Sequence, residues 1–185
     1  MKETKNFPEM ETSRLRLREL RLNDAHFILN LYSDENVCKF LYDEELYTNI
    51  DEANNYIEWN TYCENKNHNR WGIIRKADGV IMGTLGFHLW DRYNHIAEIG
   101  YDLAEEFWGE GYMSEAVEKS LEHGFDFLRL NRIQAYVAPE NHSSIRVLEK
   151  LGFKKEGIYR DKHFFRGEYY DLYCYSLLKR EWKRL

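Results

Sequence analysis

The stretch from Trp108 to Ser114, WGEGYMS, sets Gly109 and Gly111 one residue apart, between an alternating apolar segment and a run with helical spacing. Glycine lets a chain turn sharply and lets backbone amides approach a ligand with no Cβ in the way. The first amides of a following helix have no partner inside it and sit at the positive end of the helix dipole. A strand, a glycine turn and a helix start can therefore grip a pyrophosphate. A tight turn with no ligand fits the same residues. The third glycine of a dinucleotide fingerprint is missing, and no Gly-Lys-Ser/Thr follows as it would in a P-loop. Glu110, between the glycines, would be repelled by a phosphate, so its side chain is expected to face solvent. Amides, with Arg146 or Lys150, would then balance the ligand's charge.

A second stretch, PENHSSIRVLEKLGF, places Asn141 where a helix cap belongs and Ile145, Leu148 and Leu151 on one face. Gly152 stands at the left-handed position that ends such a helix. No Cys-His or Ser-His-Asp arrangement for nucleophilic catalysis is visible. Cys38, Cys63 and Cys174 are far apart, without CxxC spacing or a nearby His to complete a zinc set, so they read as reduced structural thiols and no metal is expected.

The elements that must hold these two stretches can be read from periodicity. Leu15 and Leu17 alternate with Arg14, Arg16 and Arg18 in a half-buried strand. Two helices follow, one capped by Asn23 or Asp24, the other by Asn49 with Glu52 in a capping box. Asp78 and Gly79 join two apolar runs as a tight hairpin, with both residues expected at positive φ. IAEIGYDL is a strand, Val117, Leu121, Phe125 and Leu128 form the stripe of a third helix, and RIQAYVA returns to strand. After helix four come two strands around Arg166 and Gly167. The order implies an α/β (α+β) domain: a mixed sheet with helices on both faces and a strand, helix, strand unit near its middle.

With 185 residues, 43% apolar and only 2 prolines, the chain fits a single globular domain, 1–185, with 1–11 as a polar tail. A net charge of −6 argues against a nucleic-acid partner held by a broad basic face and favours a cationic one. The first residues lack the apolar core of a signal peptide, and no run reaches membrane-spanning length, so a cytoplasmic setting without a membrane partner is expected.

TSRLRLREL, AEIGYDL, FWGEGYMSEA, NRIQAYVAPENHSSIRVLEKLGF and EGIYRDKHFFRGEYYDLYCYSLL together resemble, in order, the GNAT superfamily of N-acetyltransferases. The likeness is to the branch of ribosomal-protein serine and alanine N-acetyltransferases and polyamine acetyltransferases. It implies a GNAT fold: a mostly antiparallel sheet of about six to seven strands, four helices, and central strands splayed around a thioester. The implied co-substrate is acetyl-CoA, on a loop made here by Trp108, Gly109, Glu110, Gly111, Tyr112, Met113 and Ser114. Met113 departs from the family's small residue at its position and would crowd the loop. Ile99, Tyr101 and Leu103 are implied near the pantetheine arm through their main chain, and Asn141 on a pantetheine amide.

The same resemblance implies direct attack of an amine in a ternary complex, with Glu98 as general base and Ser144 helping to protonate the departing thiolate. A carboxylate on a half-exposed strand and a helix-turn hydroxyl are the corresponding structural readings. The implied acceptor is a protein N-terminus or a small amine, bound near Tyr32, Trp59, Phe87, His88 and Asp171, with Phe40, Tyr42 and Trp90 as further walls. A polyamine or aminoglycoside acetyltransferase, a non-catalytic acyl-CoA sensor and a nucleotide-binding protein are the alternatives; a homodimer is compatible with all of them.

Overall fold

A computed structural model describes residues 8–61 and 67–183. Cys63 and residues 1–7 of the expected tail lie outside them. Eight strands form one sheet: β1 (Met10–Glu11), β2 (Leu15–Glu19), β3 (Trp71–Arg75), β4 (Ile81–Asp91), β5 (Ile96–Leu103), β6 (Arg132–Val137), β7 (Lys154–Phe165) and β8 (Glu168–Leu178). Their spatial order is β1-β2-β3-β4-β5-β6-β8-β7. The helices are α1 (Ala25–Ser33), α2 (Glu35–Cys38), α3 (Ile50–Thr61), α4 (Tyr112–Glu122) and α5 (His142–Lys150). The strand beyond the expected count is β1, whose Met10 and Glu11 pair with Leu17 and Arg16 instead of belonging to a tail. The helix beyond the count is α2, a single turn started by Asp34, whose carboxylate accepts from the Asn36 and Val37 amides.

Among the described residues only β5 and β6 run parallel, and their pairing is short. Ile96, Ala97 and Glu98 face Arg132, Ile133 and Gln134, after which β5 continues to Leu103 and β6 to Val137 without further pairing. This is the splay that the resemblance implied. The strand period of two sends Ala97, Ile99 and Leu103 into the main core, with Val117 and Leu121 of α4 and Leu148 of α5. The other face carries Glu98 and Asp102, and Asp102 bonds Tyr32 of α1. A second cluster, Leu20, Ile28, Leu31, Ala53 and Ile57, seats α1 and α3.

The capping box at α3 forms: Glu52 accepts from the Thr48 and Asn49 amides, while Asn49 accepts from those of Asp51 and Glu52. Asp24 does not cap α1. A 3-10 turn precedes that helix, and the carboxylate instead takes two hydrogen bonds from Arg18 and one from the Arg21 amide. The β3–β4 connection is also looser than expected: of Asp78 and Gly79 only Gly79 has positive φ, because Arg75 bonds both Gly79 and Val80 around a longer turn. Between β7 and β8, by contrast, Arg166 and Gly167 both have positive φ, and the hairpin is tight. Helix α4 gives way to a π-helical turn over His123–Phe127. There the His123 ring is buried against Trp71 and Phe127, its Nε2 has no partner, and burial pushes its pKa down to about 4.

Candidate active site

The glycine turn closes the gap between β5 and α4. Gly109 and Gly111 have φ of 81° and 78°, the left-handed region where a side chain is strained, and Gly111 is the N-cap of α4. Glycine offers no cap side chain. The first helical bond to Gly111 comes from the Glu115 amide, so those of Tyr112, Met113 and Ser114 have no partner in the helix. Arg14 fixes the turn from behind. It donates to the Glu110 carbonyl at 3.1 Å and to Glu115 at 2.7 Å, and its guanidinium lies 4.4 Å from the Tyr112 ring centroid. Burial alone would raise the Glu115 pKa, but hydrogen bonds from Thr12 and Arg14 outweigh it and hold the carboxyl below its ordinary value.

Beside this turn lies a cleft of about 570 Å³. The glycine loop and Met113 line it on one side, Asn141, Ser144 and Arg146 of the α5 start on another, and Tyr101 and Leu103 of β5 form its floor. Lys150 also lines it, as do Val37, Lys39 and Phe40. Most of the residues expected to hold the cofactor are thus brought together, although they are spread over 50 positions of sequence. Glu110 is exposed, as expected. Met113 does not crowd the turn, because its side chain packs into the main core. Trp108 anchors the loop to the end of β5 by donating its indole N–H to the Leu103 carbonyl at 2.7 Å.

Asn141 caps α5 by accepting from the Ser144 amide at 3.1 Å. The Ser144 hydroxyl lies 2.8 Å from that of Tyr101, a contact that spans the splay from α5 to β5. Burial raises the Tyr101 pKa, so its phenol stays protonated at neutral pH. On the other face of β5, Glu98 is 14% exposed and its Oε1 lies 2.9 Å from His88 Nε2 of β4. Four residues along the strand, Asp102 pairs with Arg70 and accepts from Tyr32 at 3.0 Å, while Arg70 donates to Thr84 at 3.0 Å. Tyr56 completes this buried network through the Tyr32 hydroxyl at 2.8 Å. Burial opposes the Arg70 charge, but the surrounding Tyr56, Tyr32 and Asp102 keep its pKa above the ordinary value. Arg70, Asp102, Tyr56 and Thr84 were not among the residues singled out from sequence.

The expected acceptor walls are scattered. Tyr32 lies in the buried network, whereas Phe87 is 1% exposed in the main core. Trp59 stacks on His68 at 3.7 Å on the outer face of α3, and Trp90 is covered by Arg92. Asp171 accepts from the Asp161 amide at the irregularity in β7, a structural contact. Tyr42 stacks on Tyr170 at 3.9 Å beside a smaller pocket of about 340 Å³. Cys38 and Cys174 are buried and free, and burial pushes the Cys38 thiol up to about 12, which makes it a poor nucleophile. Among the described residues no group of side chains is arranged to hold a metal, and no helix is long and apolar enough to cross a membrane.

Residues 14–154 match the family model described as acetyltransferase (GNAT) domain. The uncharacterised N-acetyltransferase p20 of Bacillus licheniformis is 42% identical over 172 residues, 92% of this chain and 96% of the relative. YdaF of Bacillus subtilis, whose name offers it as a candidate ribosomal N-acetyltransferase, is 34% identical over 90% of this chain and 92% of its own. Among solved structures, spermidine N-acetyltransferase from Vibrio cholerae, in complex with CoA and spermine, superposes with a TM-score of 0.80 at 26% identity. It covers 92% of this chain and 98% of that one.

Proposed function

Because the chain belongs to the acetyltransferase (GNAT) family and is an N-acetyltransferase, we propose that it carries acetyl from acetyl-CoA to a primary amine, by direct attack within a ternary complex. The observation that carries this reading is the cleft itself: free amides at the α4 start, Arg146 and Lys150 on its wall, and the part of β5 beyond its last pairing with β6 at its floor. In this reading the pyrophosphate lies on the Gly109–Ser114 turn, where helix amides and the dipole favour an anion. The pantetheine arm runs along β5 from Leu103 towards Ile99, with the Asn141 side chain in reach of its amide. The thioester carbonyl sits where β5 and β6 part.

A protonated acceptor amine loses one proton to the basic group at Glu98, and its nitrogen lone pair attacks the thioester carbon. Collapse of the tetrahedral intermediate breaks the C–S bond, and the sulfur leaves with the electron pair. Ser144, hydrogen-bonded to the protonated Tyr101, supplies a proton to the thiolate and is restored by the second proton of the amine. The acceptor is a protein or peptide N-terminus of the kind the YdaF name suggests. The spermine-bound relative favours a small polyamine as the second reading.

The test is release of free thiol from acetyl-CoA against Ser- and Ala-initiated peptides, spermidine and an aminoglycoside. Amine-dependent release is expected; tight CoA binding with no release for any amine would turn the reading to an acyl-CoA sensor.

A further inference from the structure

Glu98 is not alone on its face of β5. His88 stands directly across from it in the β4–β5 register, and its Nε2 lies 2.9 Å from Glu98 Oε1. An ionised carboxylate only accepts, so Nε2 carries the ring proton and Nδ1 keeps a lone pair. Among the described residues no hydrogen bond reaches that Nδ1. The imidazole ring packs against the β5 backbone. It lies over Gly100, where an added Cβ would meet His88 Cε1 at 3.1 Å and an Arg70 guanidinium nitrogen at 3.3 Å. Gly100 lies two residues beyond the last β5–β6 pair, at Glu98, so the imidazole covers the start of the splay. It is also the more open partner, 34% exposed against 14% for Glu98.

We infer that the proton acceptor is the His88–Glu98 pair, with His88 Nδ1 taking the proton from the amine and Glu98 fixing the tautomer and balancing the imidazolium. This rests on the acetyl-transfer reading above and changes which atom does the work. The ammonium R–NH3⁺ gives one proton to Nδ1, its lone pair forms the C–N bond, and the C–S bond breaks. The second amine proton ends on the CoA sulfur by way of Ser144, and the imidazolium returns its Nδ1 proton to solvent. The arrangement is that of a histidine base oriented by a carboxylate. The missing side chain at Gly100 is what makes room for the ring. The charged groups facing the imidazole are Glu98 on β5 and Arg70 ahead of β3, and Arg70 is already paired with Asp102.

The test compares His88→Gln, His88→Ala and Glu98→Gln with the acceptor that wild type uses best in the panel above. Glutamine at position 88 can still donate to Glu98 but cannot take a proton. About a hundredfold loss in kcat is therefore expected for His88→Gln, at the low end of what acid–base groups contribute, with KM for acetyl-CoA unchanged. The acidic limb of the kcat profile should vanish with it. Added imidazole should restore several-fold activity to His88→Ala, which no purely structural role would allow. If His88→Gln keeps the wild-type rate and acidic limb while Glu98→Gln loses both, Glu98 is the sole base and the pair is wrong. Wild-type activity in all three removes the base from this face while leaving the enzyme reading intact, whereas a wild type silent with every amine overturns both.

Discussion

The two faces of β5 differ in what they ask of their residues. The face towards α4 and α5, with Ala97, Ile99 and Leu103, is apolar and packed, and the co-substrate site proposed for it lies at its end, where backbone amides of the glycine turn meet the cleft. The face towards α1 and α3 carries Glu98, Gly100 and Asp102, and the proton transfer proposed for it depends on side chains that meet across strands. A ligand held by backbone needs only the right turn. A charged or basic group held by side chains needs every neighbour in register, so the second face should be the more easily broken.

Arg70→Met is expected to cost most. It leaves Asp102 buried without its cation, a loss on the order of 3–5 kcal/mol. In a chain of this size that lowers Tm by about 10 °C, readable by calorimetry. The other face has its own weak point in His123. Its folded-state pKa lies below the unfolded value, so stability is complete above about pH 6.5 and falls as pH drops towards about 4. The loss is on the order of 3 kcal/mol, and urea melts of His123→Phe should show a flatter pH profile over that window.

Smaller effects separate binding from turnover. Gly111→Val forces a β-branched residue to positive φ and blocks amide approach. Strain of about 2 kcal/mol corresponds to roughly 30-fold weaker acetyl-CoA binding by titration calorimetry. Ser144→Ala should lower kcat by about tenfold with affinity unchanged, below the usual acid–base range because Tyr101 remains to donate. Glu110→Gln should change affinity by about twofold or less, since an exposed charge is screened. If Gly111→Val binds normally while Arg70→Met abolishes binding, the roles given to the two faces are reversed.

These differences also decided what could be read in the sequence. The glycine turn, the start of α4, the Asn141 cap and the Gly152 stop are local signals, and all appear where spacing put them. Most of the cleft lining follows, because the turn and the α5 start flank the same strand. Phe87 illustrates the opposite case: as a core aromatic it is indistinguishable by type from a pocket wall. The network of Tyr32, Tyr56, Arg70, Thr84 and Asp102 comes from five elements or their flanks and leaves no spacing to detect. The His88–Glu98 pair is hidden differently. A register shift between His88 and Asp91 means that counting back from the turn does not reveal which residues face each other.

The placement of the co-substrate is tested most directly by hydrogen exchange with and without acetyl-CoA. The account predicts strong protection of the amides of residues 111–115 and of β5 from Ile99 to Leu103, with α3 little changed. Protection confined to α1 and α3, or none at the glycine turn despite tight binding, would contradict it.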